Sequence, residues 1–160
     1  MGTKRVGMAR VKSLINENNN QLVMRRTQTK SVSADATLTV ADMGKLIVVD
    51  GSSAGNITIT LPAAPPVGAE LKVILGKNNN AATQVLLESN HSGNKFEGFA
   101  VQLLASSNAT AYHSHRRIGF TDSAKLGSMI HCVCVDATAG AVRWAIIDSK
   151  CDLAFINALS

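Results

Sequence analysis

The chain has 160 residues, enough to bury one sizeable core without metal or disulfide staples. Its apolar fraction of 46% and charged fraction of 17% exclude general disorder, and no apolar run reaches the roughly 18 residues of a membrane-spanning helix. Charge is unevenly placed: residues 1–30 hold seven cations and one acid, a net +6, whereas the rest hold nine cations and ten acids, a net −1.

A basic arm over 1–30 and a near-neutral body over 31–160 follow from that division. The arm carries Lys4, Arg5, Arg10, Lys12, Arg25, Arg26 and Lys30. Such a run points to an anionic partner: nucleic acid, a membrane or an acidic protein surface. Within it Met8, Val11, Leu14 and Ile15 recur at steps of three and four, which predicts a short amphipathic helix over about 8–17. The asparagine run at 18–20 ends it. Residues 26–36 are small and polar and read as a linker or an edge strand.

From Thr37 the pattern has period two. Leu38 and Val40 share a face, and "ADMG" makes a turn in which Gly44 takes positive φ. "KLIVVD" is a strand, "GSSAG" has the length of a hairpin loop, and "NITITL" alternates with Ile57, Ile59 and Leu61 inward. Pro62, Pro65 and Pro66 end the pairing, because proline has no N–H for a ladder. "ELKVIL" and "VLLES" are further strands, and "KFEGFAVQLLA" and "ATAYHSHRRIGF" give shorter ones. A second hairpin spans "GSMIHCVCVDATAGAVRWAIIDS", turning at "DATAG". Its strands are apolar on two faces, so Met129, Val133, Val135, Val142 and Trp144 are assigned to a contact between subunits. "CDLAFINALS" is a short apolar tail that needs a docking surface. The fold class expected is all-β: an antiparallel sandwich or barrel, jelly-roll-like, with a short N-terminal helix.

The residues offer little chemistry. His113 and His115 form an H-x-H pair, and His131, Cys132 and Cys134 complete a possible ligand set for zinc or copper. Yet His131 and the two thiols fall on opposite faces of their strand, so no metal and no other cofactor is expected. Three cysteines, two of them on one strand face, imply no disulfide framework and fit assembly in a reducing cytoplasm. "YHSHRR" has the makings of a patch for a phosphate, sugar or carboxylate, or is a solvated loop. No nucleophile has a base and an orienter nearby in sequence, so no enzyme is expected. The arm lacks interleaved aromatics and any helix-turn-helix or zinc motif, so a nucleic-acid partner fits less well than an acidic protein shell.

Two stretches carry a family likeness. "MGTKRVGMARVKSLIN" resembles the opening of structural proteins of tailed bacteriophages, especially phages of marine bacteria. "ADMGKLIVVDGSSAGNITITLPAAPPVGAELKVIL", followed by "GSMIHCVCVDATAGAVRWAIID", is similar to a β module of phage virion proteins, with Asp42, Gly44, Leu61, Pro62 and Trp144 in the matching places. The resemblance implies a structural module of the virion without saying which part of it; with the chain's small size, the expectation is a head decoration (cement) protein on the outside of the virion, a homo-oligomer (a trimer) bridging capsomers. Its partner would be the major capsid protein, with no membrane involved. The chain ends just after the module, which favours decoration over a fibre. On this reading Lys4, Arg5, Arg10, Lys12, Arg25 and Arg26 grip acidic capsid surface, and Met8, Val11, Leu14 and Ile15 bury a stripe against it. The alternative is a receptor- or glycan-binding module of a fibre or tail tip.

Overall fold

A computed structural model describes residues 10–13, 28–52, 55–79, 83–101, 109–122, 124–150 and 153–154. Twelve strands are assigned there: β1 (Thr29–Val32), β2 (Ala36–Thr37), β3 (Leu46–Asp50), β4 (Ile57–Thr60), β5 (Glu70–Lys77), β6 (Val85–Glu88), β7 (Lys95–Val101), β8 (Ala109–His115), β9 (Arg117–Phe120), β10 (Met129–Asp136), β11 (Arg143–Lys150) and β12 (Leu153–Ala154). A 3-10 turn, Val40–Asp42, sits between β2 and β3. Seven strands form one sheet in the order β1-β3-β5-β10-β11-β7-β8, and five form another in the order β12-β9-β6-β4-β2. The fold is all-β, as expected.

The sheets are mixed, which corrects the antiparallel expectation. β1–β3, β3–β5, β11–β7, β2–β4 and β4–β6 pair in parallel. From β1 to β6 the chain changes sheet at every strand, and each strand lies beside the one two places earlier. Residues 29–88 therefore wind as an open coil. β10 and β11 do form the expected antiparallel hairpin, with Met129 opposite Lys150 and Cys134 opposite Trp144.

"GSSAG" is accordingly not a hairpin loop. It carries the chain from β3 in the larger sheet to β4 in the smaller. The physical reason lies in the inward residues. Ile47 and Val49 of β3, and Ile57 and Ile59 of β4, are all at most 1% exposed and belong to one apolar cluster. Strands related in this way bury their apolar faces against each other across the core, which neighbours in one ladder cannot do. Pro62, Pro65 and Pro66 lie in the return crossing, where no ladder needs their missing N–H.

The core also takes Leu71, Val73, Leu75, Val85, Leu87, Phe96, Ile118, Phe120, Ile130, Cys132, Cys134, Val142, Trp144 and Ile146. Val142 and Trp144 are fully buried within the chain, so neither can serve the subunit contact assigned to them. Val40 parts from Leu38: Leu38 is buried, but Val40 enters the 3-10 turn and is exposed.

Of the two readings of residues 26–36, linker or edge strand, β1 is the edge strand. Lys30, counted with the arm, lies in β1, the edge of the larger sheet. Its Nζ reaches Asp42 Oδ2 at 2.7 Å, and Lys45 Nζ reaches Oδ1 at 3.0 Å. Thr39 donates to Oδ2 from its N–H at 3.0 Å and from its hydroxyl at 3.1 Å. Gly44 follows at φ 78°, as the turn requires. Burial alone would raise the Asp42 carboxyl, but Lys30, Thr39 and Lys45 together hold it well below its ordinary 3.8. A depressed carboxylate stabilises the fold above its unfolded pKa and loses that contribution as pH falls through the folded one.

Asp42→Asn should therefore cost about 2 kcal/mol at neutral pH, discounted because both lysines are partly solvated. Below the ordinary carboxylate range the gap between variant and parent should close. Melting temperatures measured across that range check this; a gap that persists unchanged in acid would place the cost elsewhere.

Candidate interaction surfaces

β10 buries Ile130, Cys132 and Cys134 and turns Met129, His131, Val133 and Val135 outward. Register extends these into rows across the outer face of the larger sheet. Val48 of β3, Ile74 of β5 and Met129 of β10 are successive partners, all half-buried. Beside them run Leu46, Lys72, His131 and Asp148, and then Glu70, Val133, Ala145 and Glu97. Gly76 makes room for the first row: a Cβ there would lie 2.7 Å from Val48 Cγ1. Val135 and Ile147 add exposed apolar surface, at 53% and 55%.

Several charges on this face are paired. Lys72 Nζ lies 2.8 Å from Glu70 Oε2, Lys150 pairs with Asp148 at 4.0 Å, and Arg143 Nη1 pairs with Glu97 Oε1. Such exposed pairs each contribute about 0–1 kcal/mol. His131 Nε2 is 3.6 Å from the same Glu70 oxygen, too far for a hydrogen bond. The Lys72 hydrogen bond leads in holding Glu70 below its ordinary range. Burial, and then Lys72, hold His131 below its ordinary 6.5, against the opposing pull of Glu70 and Asp148.

The outer face of the smaller sheet carries one polar row, beside a row that includes the buried Leu86 and Gly119. Thr37, Thr60, Glu88 and Arg117 form one row, and Thr58, Leu86 and Gly119 the next. Glu88 meets both Arg116 and Arg117. Three grooves, of 280, 330 and 390 Å³, border residues 31–37, where the short β1 and β2 end the coil.

Met129, Val133 and Val135 share an outward face, as the alternation implied, joined by Val48 and Ile74, which went unassigned. Their signal was present: both are apolar on the face opposite Ile47, Val49, Val73 and Leu75. Arg10, Val11 and Lys12 lie on a helical turn at 10–13 and are exposed, Val11 at 55%. Lys4, Arg5, Met8, Leu14, Ile15, Arg25 and Arg26 lie outside the described residues. His113 and His115 are on β8, a strand and not a loop; His115 is half-buried. Cys132 and Cys134 are free, core-facing thiols, and burial pushes both up, away from thiolate chemistry. Among the described residues no group of three His, Cys, Asp or Glu side chains is placed to hold a metal, and no helix is long and apolar enough to cross a membrane. No protein-family model and no curated protein matches the chain.

The His131 ring should titrate below 6.5 in the folded protein, because its charged form is desolvated and faces Lys72. Stability from the neutral ring is then full above 6.5 and declines as pH falls from there to the lowered value. An imidazole NMR titration reads this directly, and a midpoint above 6.5 would mean that Glu70 and Asp148 dominate.

Proposed function

We propose that the chain is a structural protein of a tailed-phage virion: a head decoration protein that binds the outside of the shell and bridges capsomers. In this reading the two sheets stack as a sandwich, and the body acts as a rigid spacer. It works as a homo-oligomer, a trimer, with the major capsid protein as its partner, and is assembled in the bacterial host cytoplasm. The resemblance of the two stretches supplies the family. The observation that carries the mechanism is the outer face of the larger sheet, with its Val48–Ile74–Met129 row and Val133 beside it. An apolar band among already paired charges can be covered by protein without stranding an ion. Copies joined through that face would present several basic arms together, and multivalency turns modest contacts into a durable clamp.

The groove of 330 Å³ lined by Asp35, Ala36, Thr37, Thr58 and Thr60 favours a second reading, a glycan- or receptor-binding module of a fibre or tail tip. Its hydroxyls and single carboxylate suit sugar hydroxyls. Co-sedimentation with empty heads, with host cells and with DNA separates decoration, receptor binding and nucleic-acid binding.

Deleting residues 1–26 should leave the body folded, since β1 begins at Thr29, and should weaken head binding by about tenfold or more. Added salt should weaken the intact protein too, because separated exposed charges are screened beyond about 8–10 Å. Met129→Asp with Val133→Asp should lower the oligomer mass in light scattering while the arm is intact. Equal head binding by truncated and intact protein would move the attachment surface to the β body.

A further inference from the structure

We propose that Arg116 and Arg117 form an oxyanion-binding site on the outer face of the smaller sheet, taking a carboxylate or phosphate group borne by a ligand. Glu88 ends β6 and is the register partner of Arg117, which opens β9. Arg117 Nη2 lies 2.9 Å from both Glu88 oxygens, and Arg116 Nη2 lies 3.0 Å from Oε1. Two guanidiniums thus share one carboxylate, leaving one positive charge unmatched within the cluster.

Donor capacity exceeds what Glu88 can accept. Each guanidinium has five N–H groups, against roughly four lone-pair sites on a carboxylate. The Nε atoms of both arginines are buried without a hydrogen-bond partner among the described residues. The Glu88 side chain is 13% exposed, against 28% for the Arg116 side chain and 25% for that of Arg117, so both arginines keep some solvent-facing surface beside a more enclosed carboxylate. An incoming anion would compete with Glu88 for the solvent-facing arginine N–H groups. Thr60, the partner of Glu88 on β4, adds a hydroxyl in the same row. A triad that only joined β6 to β9 would need Arg117 alone. Arg116, in the bend before β9, brings a second cation to a carboxylate already held at both oxygens. The site is independent of capsid attachment.

The test uses the full-length protein, titrated calorimetrically with sodium phosphate and with sodium glucuronate, each against sodium chloride at equal ionic strength. Saturable binding of either anion beyond chloride supports the site; phosphate alone assigns a phosphate ligand and glucuronate alone a carboxylate. Arg116→Gln should weaken that binding by about tenfold or more, since it removes a charge-assisted donor. Arg116→Lys, which keeps charge but loses the fork, should weaken it as well and decides the matter if the glutamine variant fails to fold. Glu88→Gln, by releasing donors, should leave affinity unchanged or raise it. No anion-specific binding, full binding by both Arg116 variants, or weaker binding by folded Glu88→Gln would each overturn the proposal.

Discussion

One apolar cluster takes inward residues from both sheets, and the path of the described residues from β1 to β6 follows from that constraint. Ile47 and Val49 on one side, with Ile57, Ile59, Val85 and Leu87 on the other, are at most 1% exposed. No strand in that set can bury its apolar face against its own sheet neighbours, because side chains stand perpendicular to the ladder. The chain therefore crosses the core after each strand from β1 to β6, and parallel pairing results. Later, Trp144 and Phe96 pair side by side from β11 and β7 and fill the same cluster. Crossing leaves the first turn of the coil incomplete: β1 and β2 are both edges. The Lys30–Asp42–Lys45 cluster ties that open end to the 3-10 turn.

The constraint also sorts function onto the outer faces. Among the described residues the core cluster is filled by aliphatic side chains, two thiols and the aromatics Phe96, Phe120 and Trp144. The outer face of the larger sheet carries apolar rows divided by paired charges, a surface suited to lasting protein contact. The outer face of the smaller sheet carries hydroxyls and the Glu88 cluster, a surface suited to polar or anionic groups. One body thus presents two sides of different chemistry.

Period two made much of this legible. Ile57, Ile59 and Leu61 are buried as read, Gly44 takes its positive φ, and the β10–β11 hairpin turns where "DATAG" stands. Alternation says which side chains share a face, but not which strand lies next door. "GSSAG" is as suitable for a crossing as for a hairpin, so the mixed sheets were not readable. The same limit misplaced Val142 and Trp144: an apolar residue reads alike whether a core or a partner covers it. Of the Glu88 cluster only the arginines could be noticed. Its carboxylate is 28 residues upstream of Arg116, and only the β6–β9 register brings the two together.

Charge placement completes the connection between fold and proposed role. The body's charges nearly balance, nine cations against ten acids over residues 31–160, so it exerts little net pull at a distance. Residues 1–30 hold the positive excess, although one of those cations, Lys30, is committed to Asp42. In the proposed role, long-range attraction would belong to the arm, raising the encounter rate and setting orientation, and lifetime would come from apolar contact. Binding of this kind would depend on salt in its association rate far more than in its dissociation rate. A surface relying on the Arg116–Arg117 pair would behave differently, because a partly buried, charge-assisted contact is screened less than an exposed one.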